Sequence, residues 1–519
     1  MKPLNDIGRR LVAELVRAKQ FRDKEERARA KSEKVNIVGA GGALTAAYEQ
    51  LRNAAENSEE HLLLQNAIKR FYRQLFVVRD DKVIADSGNE LIIELTLAGY
   101  VENDSITKRQ IERITELSLQ HYHAYLQLKH RRAARQEVMF GWVIDSLAVE
   151  VSAILRPRYE DAAFVDFSYE YLSAIIPVAA VGLADDFGAA LYISIYRALL
   201  KSDSAETRVS LLRRYGVDVM QLDTFIDYNK RIDELIESPK TDELYHIVDR
   251  QGAPLRIIRR MIADHSDIAQ LLTKQDVFLD AFEKQVNHEY MSISRRINHA
   301  VVRSVVFLII TKFLIGIAIE VPYDIFANGH ILWQPLIINL LFPPIYMVLL
   351  RLTNTLPSYA NTTALVSRID TMLYGEQTTL IKATVGRKKY GTVFSLFYGF
   401  CCILVFALVT WLLLLLNFSF VHIVIFFVFV SAASFLGFRL GHLIREIEIV
   451  RPNSNGVTTL RDFIYLPFVV AGQWMSDKYS KLNIVTIMLD MIIEMPLKTV
   501  LRLLRQWNAL IDDRKDYLS

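Results

Sequence analysis

Apolar positions recur three and four apart through most of the first 300 residues, and near residue 300 this pattern gives way to unbroken apolar runs. In the first regime Ile7, Leu11 and Leu15 line one face of an opening helix whose acids and bases interleave from Lys19 to Lys34. Such a mixture marks a charged helix laid over a protein surface; docking on anionic lipid or on a partner is the other reading. Gly99 is a helix stop, and Thr107 with Gln110 three residues on is a capping box for a helix expected to run towards Arg135. Pro157, Pro177, Pro239 and Pro254 divide the rest of this half into further helices. Strand candidates at 76–78 and 82–84, flanking Asp80 and Asp81, compete poorly with a loop.

The second regime holds four apolar runs, 304–321, 331–350, 393–416 and 418–438. Each approaches the roughly 20 residues that a helix needs to cross a hydrocarbon core of about 30 Å. The expected fold is all-α, with a charged amphipathic helix over 1–36 and a large cytoplasmic helical domain over 37–299. A first transmembrane hairpin over 300–352 and a second over 393–440 flank a basic cytoplasmic linker at 353–392, and an amphipathic interfacial tail occupies 441–519. Within that tail 463–475 and 484–497 are apolar but too short to cross, so they are expected in the interface. Asp490, Glu494, Lys498 and Arg502 follow one another every four residues, a narrow polar stripe with acids first and bases last on a helix kinked at Pro496. Trp474 and Trp507 suit interfacial anchors.

Composition fits two regimes in one chain: 52% hydrophobic residues and a mean hydropathy of +0.19, together with 23% charged residues. The net charge of +3 over 519 residues creates neither a nucleic-acid field nor a trap for acidic substrates, and no nucleic-acid partner is expected. Placement of the charges says more. Arg295, Arg296 and Arg303 precede the first run, Arg387, Lys388 and Lys389 lie between the second and third, and Arg439 and Arg445 follow the fourth. The stretch 322–330 and the residues around Asn417 hold no Lys or Arg. The positive-inside rule then puts both termini in the cytoplasm, with the anionic inner leaflet as the lipid partner. The Arg-, Lys- and Glu-rich start to residue 34 has no secretory-signal pattern. The adjacent Cys401 and Cys402 diverge by about 100° on a helix and are not expected to form a disulfide.

Several motifs weaken on inspection. Residues 37–44 resemble a dinucleotide loop, but Leu44 stands at the third glycine position and no βαβ unit follows, so a joint between helices is expected. His121, His123 and His130 do not share a face and read as surface histidines, while Lys129, Arg131, Arg132 and Arg135 form a patch for lipid or solvent. The apolar stretch 174–183 reads as buried core, and Asp185 with Asp186 as a helix N-cap. No cofactor motif or metal-ligand set emerges. The exceptions lie in the apolar half: Lys312 near the middle of the first run, Glu320 two turns further on roughly the same face, and Gln334, Asn339 and the pair Pro343-Pro344 in the second. Ionisable groups at such depth are functional candidates by default. Lys312, Glu320 and Asn339 could line a hydrated path, with the prolines breaking a helix to free carbonyls for an ion. In the alternative, Lys312 bonds Asn339 or those carbonyls inside a dry bundle.

Two blocks carry a resemblance. One is Leu51-Arg52-Asn53-Ala54-Ala55-Glu56 with His61-Leu62-Leu63 and Ala67-Ile68-Lys69-Arg70-Phe71; the other runs from Leu466-Pro467-Phe468 through Leu482-Asn483 to Asp490, Glu494 and Pro496-Leu497-Lys498. The chain resembles a family of uncharacterised multi-pass membrane proteins of reduced-genome bacteria of the candidate phyla radiation. The resemblance implies a cytoplasmic helical domain, membrane hairpins and an amphipathic tail, and supplies no reaction, ligand or site residue. The functional expectation is a non-enzymatic integral membrane protein whose helical half is a scaffold or interaction module, with an unidentified protein partner or self-association. A channel or transporter built on Lys312, Glu320 and Asn339 is the alternative. A membrane-embedded enzyme is disfavoured, since no run carries paired catalytic carboxylates, a nucleophile with a base, or a histidine-rich face.

Overall fold

In a computed structural model, residues 2–36, 46, 49–50, 52–53, 60–78, 81–131, 134–178, 182–183, 186–353, 356–375, 392–450 and 456–482 are described. Helix α1 (Asp6–Ala30) starts at Asn5, whose side chain accepts the Gly8 N–H at 2.8 Å. Its apolar stripe, Ile7, Leu11 and Leu15, is buried on the helical half, and Arg22 and Lys19 tie it down through Glu160 at 2.6 Å and Asp267 at 2.5 Å. The opening helix is therefore a strut across the helical body.

Next come α2 (Glu60–Val78), α3 (Asp81–Ala85), α4 (Ser87–Leu97) and α5 (Lys108–Lys129). Residues 76–78 close α2 and 82–84 lie in α3, and there is no strand among the described residues. Gly99 follows α4 with φ of +79°, a conformation that suits glycine. Thr107 and Gln110 form the reciprocal capping box, but α5 stops at Lys129, short of Arg135, and α6 (Gln136–Leu155) folds back against it.

The body continues through α7 (Tyr159–Ile175), α8 (Phe187–Leu200), α9 (Ser204–Arg214), α10 (Leu222–Glu237), α11 (Pro239–Gln251), α12 (Ala253–Asp264) and α13 (Ile268–Leu272). Pro157 and Pro177 fall in breaks, while Pro239 and Pro254 open α11 and α12, where the missing N–H costs nothing. In the stretch read as buried core, Ile175 and Ile176 are buried and Val178 is exposed. Asp186 takes the N-cap position of α8 without capping it; Arg231 draws the carboxylate away instead. Asp185 lies outside the described residues.

Helix α14 (Gln275–Asn328) runs for 54 residues, about 80 Å at 1.5 Å per residue, out of the helical body and through the first apolar run. It buries Phe278, Phe282, Val286, Tyr290, Ile297 and Val301 on one stripe. After it come α15 (Trp333–Thr353), α16 (Tyr359–Tyr374), α17 (Thr392–Leu415), α18 (Phe420–Arg445) and α19 (Gly456–Leu482). In the apolar half α14, α15 and α19 all pack on α18, and α17 joins from outside through Phe406, whose ring lies 5.0 Å from Phe468 and 5.3 Å from Phe427.

Two segments differ from expectation. The region read as a basic linker contains α16, which packs on α12 and α14 and buries Leu365, Ile369 and Leu373. The run at 463–475, expected in the interface, lies along α18 instead, with Phe468 and Val469 buried. Gly472 permits that approach, since a Cβ there would stand 2.2 Å from the Ser431 carbonyl oxygen. Trp474 faces outward, and Cys401 and Cys402 are free thiols. The 37–44 motif, Arg132, the basic residues 387–389, and the tail with Asp490, Glu494, Pro496, Lys498, Arg502 and Trp507 lie outside the described residues.

By length and composition five helices can cross a membrane: α6, α14, α15, α17 and α18. Helix α6 has 56% of its apolar window buried, close to the 50% of α18 and far above the 17% of α14 and 11% of α17, but it is covered by α2, α5 and α9 of the helical body and not by other apolar runs. Its Asp145 pairs with Lys69 at 3.0 Å and its Trp142 indole N–H bonds Asp233 at 2.9 Å. Core burial accounts for the hydropathy of α6; the broad exposed apolar surfaces of α14, α15 and α17 are those of an integral membrane protein.

Candidate functional site

The site begins with Pro322. A proline cannot donate a hydrogen bond to the carbonyl four residues back, and its ring crowds that carbonyl. The turn just before it, Gly316–Glu320, is accordingly π-helical, with the Val321 N–H reaching the Gly316 carbonyl five residues back. The extra residue changes which side chains share a face. In an unbroken α-helix Glu320 would sit about 80° and Asp324 about 120° around the axis from Lys312, at roughly 100° per residue. One surplus residue removes about 100°, bringing both within about 20° of Lys312.

The three side chains do face one interior. Lys312, Glu320 and Asp324 are 2%, 1% and 0% exposed, although α14 shows Phe313, Leu314, Ile317 and Ile325 to the outside. Lys312 Nζ donates to Glu320 Oε1 at 2.6 Å and lies 4.8 Å from the centre of the Phe429 ring. From α15, Asn339 Nδ2 donates to the same Glu320 oxygen at 3.1 Å and to the His422 carbonyl at 3.2 Å. From the first turn of α18, His422 brings Nε2 to 3.6 Å from Asp324 Oδ2, while its Nδ1 lies 2.7 Å from Ser419 Oγ. Asp324 Oδ2 accepts the Leu332 N–H at 2.9 Å, fastening the loop between α14 and α15. Asp324 Oδ1, Asn339 Oδ1 and His422 Nε2 are buried without a hydrogen-bond partner.

The structure thus brings together Lys312, Glu320 and Asn339, and adds Asp324 and His422. Lys312 is bonded to Glu320 and not to Asn339 or to freed carbonyls, because the π turn carries Glu320 directly over it. Pro343 and Pro344 do not break α15, which runs on through both of them, and both are buried in the bundle. Gln334 is exposed. Asp324 and His422 escaped the sequence reading because each sits near the end of an apolar run, where a polar residue reads as a loop flank.

A second polar centre lies where α18 meets the helical body. The last turn of α8 is also π-helical and ends on Lys201 with φ of 56°. Arg256 donates to the Ala198 carbonyl at 3.2 Å and Arg259 to the Leu199 carbonyl at 3.2 Å, satisfying groups that the wide turn leaves over. Arg256 also donates to the Glu446 carbonyl at 2.7 Å, and Lys201 to the Glu446 carboxylate at 2.9 Å. Burial alone would raise the Glu446 carboxyl, but His442, Lys201 and Arg256 outweigh it and hold the group down to about 2. Nearby Asn361 is fully buried; it donates to Tyr290 Oη at 2.8 Å and the Ile447 carbonyl at 2.9 Å and accepts the Ile449 and Val450 N–H groups.

His121, read as a surface residue, is buried: it belongs to the stripe of Ile114, Leu117 and Leu128 that α5 presents to the core. Burial lowers its imidazole pKa below the ordinary value, against the opposing pull of Glu150. His123 and His130 are exposed, and no metal-binding group of His, Cys, Asp or Glu occurs among the described residues. A cavity of about 180 Å³ in the helical half is lined by Arg156, Arg158 and Arg213 together with Asp161 and Glu206. Four of these five are engaged with one another or with the backbone: Arg156 donates to the Tyr100 carbonyl at 2.8 Å, and Arg158 lies 3.7 Å from Asp161 and 3.5 Å from Glu206. The fold and cluster define an all-helical membrane protein with a polar interior site. No family model, curated protein or solved structure matches the chain significantly.

Proposed function

We propose that the chain is a non-enzymatic, multi-pass protein of the cytoplasmic membrane, with both termini inside, whose helical half is a scaffold or interaction module held against the inner face. The observation that carries this reading is the junction. Helix α14 passes without a break from the body into the apolar bundle, and Asn361, Lys201 and Arg256 bolt the end of α18 to the same body. A platform that must hold a partner at a fixed place and angle needs such stiffness; a flexible tether does not. The resemblance to multi-pass proteins of reduced-genome bacteria belongs to this proposal and adds the same architecture. The test is photo-cross-linking in native membranes from exposed positions of the helical half, such as Tyr215 and Met220. A discrete adduct with a second copy or another protein is expected. No discrete adduct from a panel covering that surface contradicts the reading.

The polar cluster favours a second reading, a channel or transporter gated by the helical half. Lys312, Glu320, Asn339, Asp324 and His422 lie inside the apolar bundle, and a conduit through them requires the bundle to open, because all five are buried. Reconstituted vesicles that pass no ion or solute across a wide panel, with the helical half intact, count against it.

A further inference from the structure

Asp324 and His422 sit within about one helical turn of the two short connections on the side of the bundle away from the helical half. Asp324 is four residues before the end of α14 at Asn328, and His422 two residues after the start of α18 at Phe420. Both are fully buried. The charged groups facing them are few: α14 supplies Lys312, Glu320 and Asp324, α18 supplies His422, and α15 adds only the neutral amide of Asn339. Lys312 and Glu320 neutralise each other at 2.6 Å. That leaves Asp324 and His422 to balance between themselves.

Their ordinary forms at neutral pH do not balance. A carboxylate beside a neutral imidazole leaves one negative charge sealed in an apolar bundle, with a single hydrogen bond from the Leu332 N–H to hold it. The ring does not change this in either neutral tautomer: if Nδ1 donates to Ser419 Oγ, the Nε2 lone pair faces Asp324 Oδ2 at 3.6 Å, and if the Ser419 hydroxyl donates to Nδ1, the Nε2 proton faces it, but the pair keeps its negative charge. One added proton removes that charge. Placed on the ring it makes an imidazolium opposite a carboxylate; placed on Asp324 it makes a carboxylic acid beside a neutral ring, and either state carries no net charge. We infer that the Asp324–His422 pair is a proton-binding site, loaded from the side of the 329–332 and 416–419 connections and holding one proton at neutral pH. The inference does not depend on the helical half recruiting a partner.

The test uses the full chain in detergent at about pH 7.5, a unit above the ordinary imidazole value of roughly 6.5. Histidine nitrogen resonances report the ring, with the His422 signal assigned as the one lost in His422→Gln; the infrared carboxylic-acid band assigned by Asp324→Asn reports the acid. A proton is expected on one group or the other. If Asp324→Asn does not fold, His422→Gln carries the test alone, because Asp324 must then take up the proton and show the acid band. A deprotonated carboxyl together with a neutral ring in the unmodified chain overturns the proposal.

Discussion

Lys312 shows how a single residue is made tolerable inside an apolar bundle. Its ammonium has one carboxylate partner, Glu320, and one aromatic face, Phe429. Removing one member of a buried pair strands the other, which costs about 3–5 kcal/mol, whereas removing both can be nearly neutral. Lys312→Met is therefore expected to lower the thermal unfolding midpoint sharply, and Lys312→Met combined with Glu320→Gln to restore most of the loss. Equal damage from the single and double variants would mean that the pair does not act as a unit. At this scale the sequence was legible for the residues whose chemistry is out of place: a lysine, a glutamate and an asparagine in apolar runs announce themselves. His121 was equally legible in principle, since it falls on the three- and four-residue spacing of Ile114 and Leu117, yet its polarity invited a surface reading. Asp324 and His422 were not, because a polar residue near a run's end looks like a boundary.

Among elements, the π turn at Gly316–Glu320 sets the face that α14 turns inward. A π turn is an α-helix with one residue too many, so deleting Ala318, which is exposed, is expected to leave Lys312, Glu320 and Asp324 on one side and yield a folded, monodisperse protein. Deleting Val306, also exposed but in regular α-helix, rotates the far part of α14 by about 100° against the body and is expected to abolish assembly. The pair of variants is read by size-exclusion profile and thermal unfolding; equal tolerance of the two deletions would falsify this account of the turn. At the contact between α18 and α19, Gly472→Ala is expected to cost about 1–3 kcal/mol, since its Cβ meets the Ser431 carbonyl and backbone cannot step aside cheaply. Helix existence was well read from the three- and four-residue spacing. Partner choice was not: nothing local in 463–475 says that Gly472 and Phe468 dock on α18, and nothing local in 359–374 says that Asn361 serves as a hydrogen-bonding hub.

For the whole molecule the central feature is the stiff connection between body and bundle. Asn361→Ala removes bonds to Tyr290, Ile447, Ile449 and Val450 at once, and at about 1 kcal/mol each a loss of a few kcal/mol is expected. Hydrogen exchange should rise first at 447–450, and unchanged protection there would show that the junction is held by packing alone. Glu446 gives the junction a pH dependence. Its folded carboxyl titrates at about 2, below the ordinary 4.5, so the folded state binds that proton less readily than the unfolded chain. The stabilisation is fully present above about pH 4.5 and is lost as pH falls towards 2, on the order of 2 kcal/mol after allowance for partial exposure. Glu446→Gln is expected to flatten the acid limb of a stability-against-pH curve, which circular dichroism follows directly. The division into a helical half and an apolar half was plain in the sequence. The depth of their interlocking was not, because it depends on carbonyls released by the π turn of α8 and taken up by Arg256 and Arg259, and a linear pattern does not reveal those bonds.

Sealing of the polar cluster separates a stiff, closed platform from a conduit, and Gly316 offers the cleanest place to test it. Gly316 is buried, and a Cβ there meets only Glu320 Oε2, at 3.9 Å, so Gly316→Cys puts a thiol beside the ion pair without removing a charge. With Cys401 and Cys402 replaced by serine and Met220→Cys as the exposed control, membranes are treated with a charged thiol reagent applied to both faces. Protection at 316 with full labelling at 220 is the result predicted for a closed, dry bundle. Labelling at 316 as fast as at 220 would contradict it and put water at the centre of the membrane half.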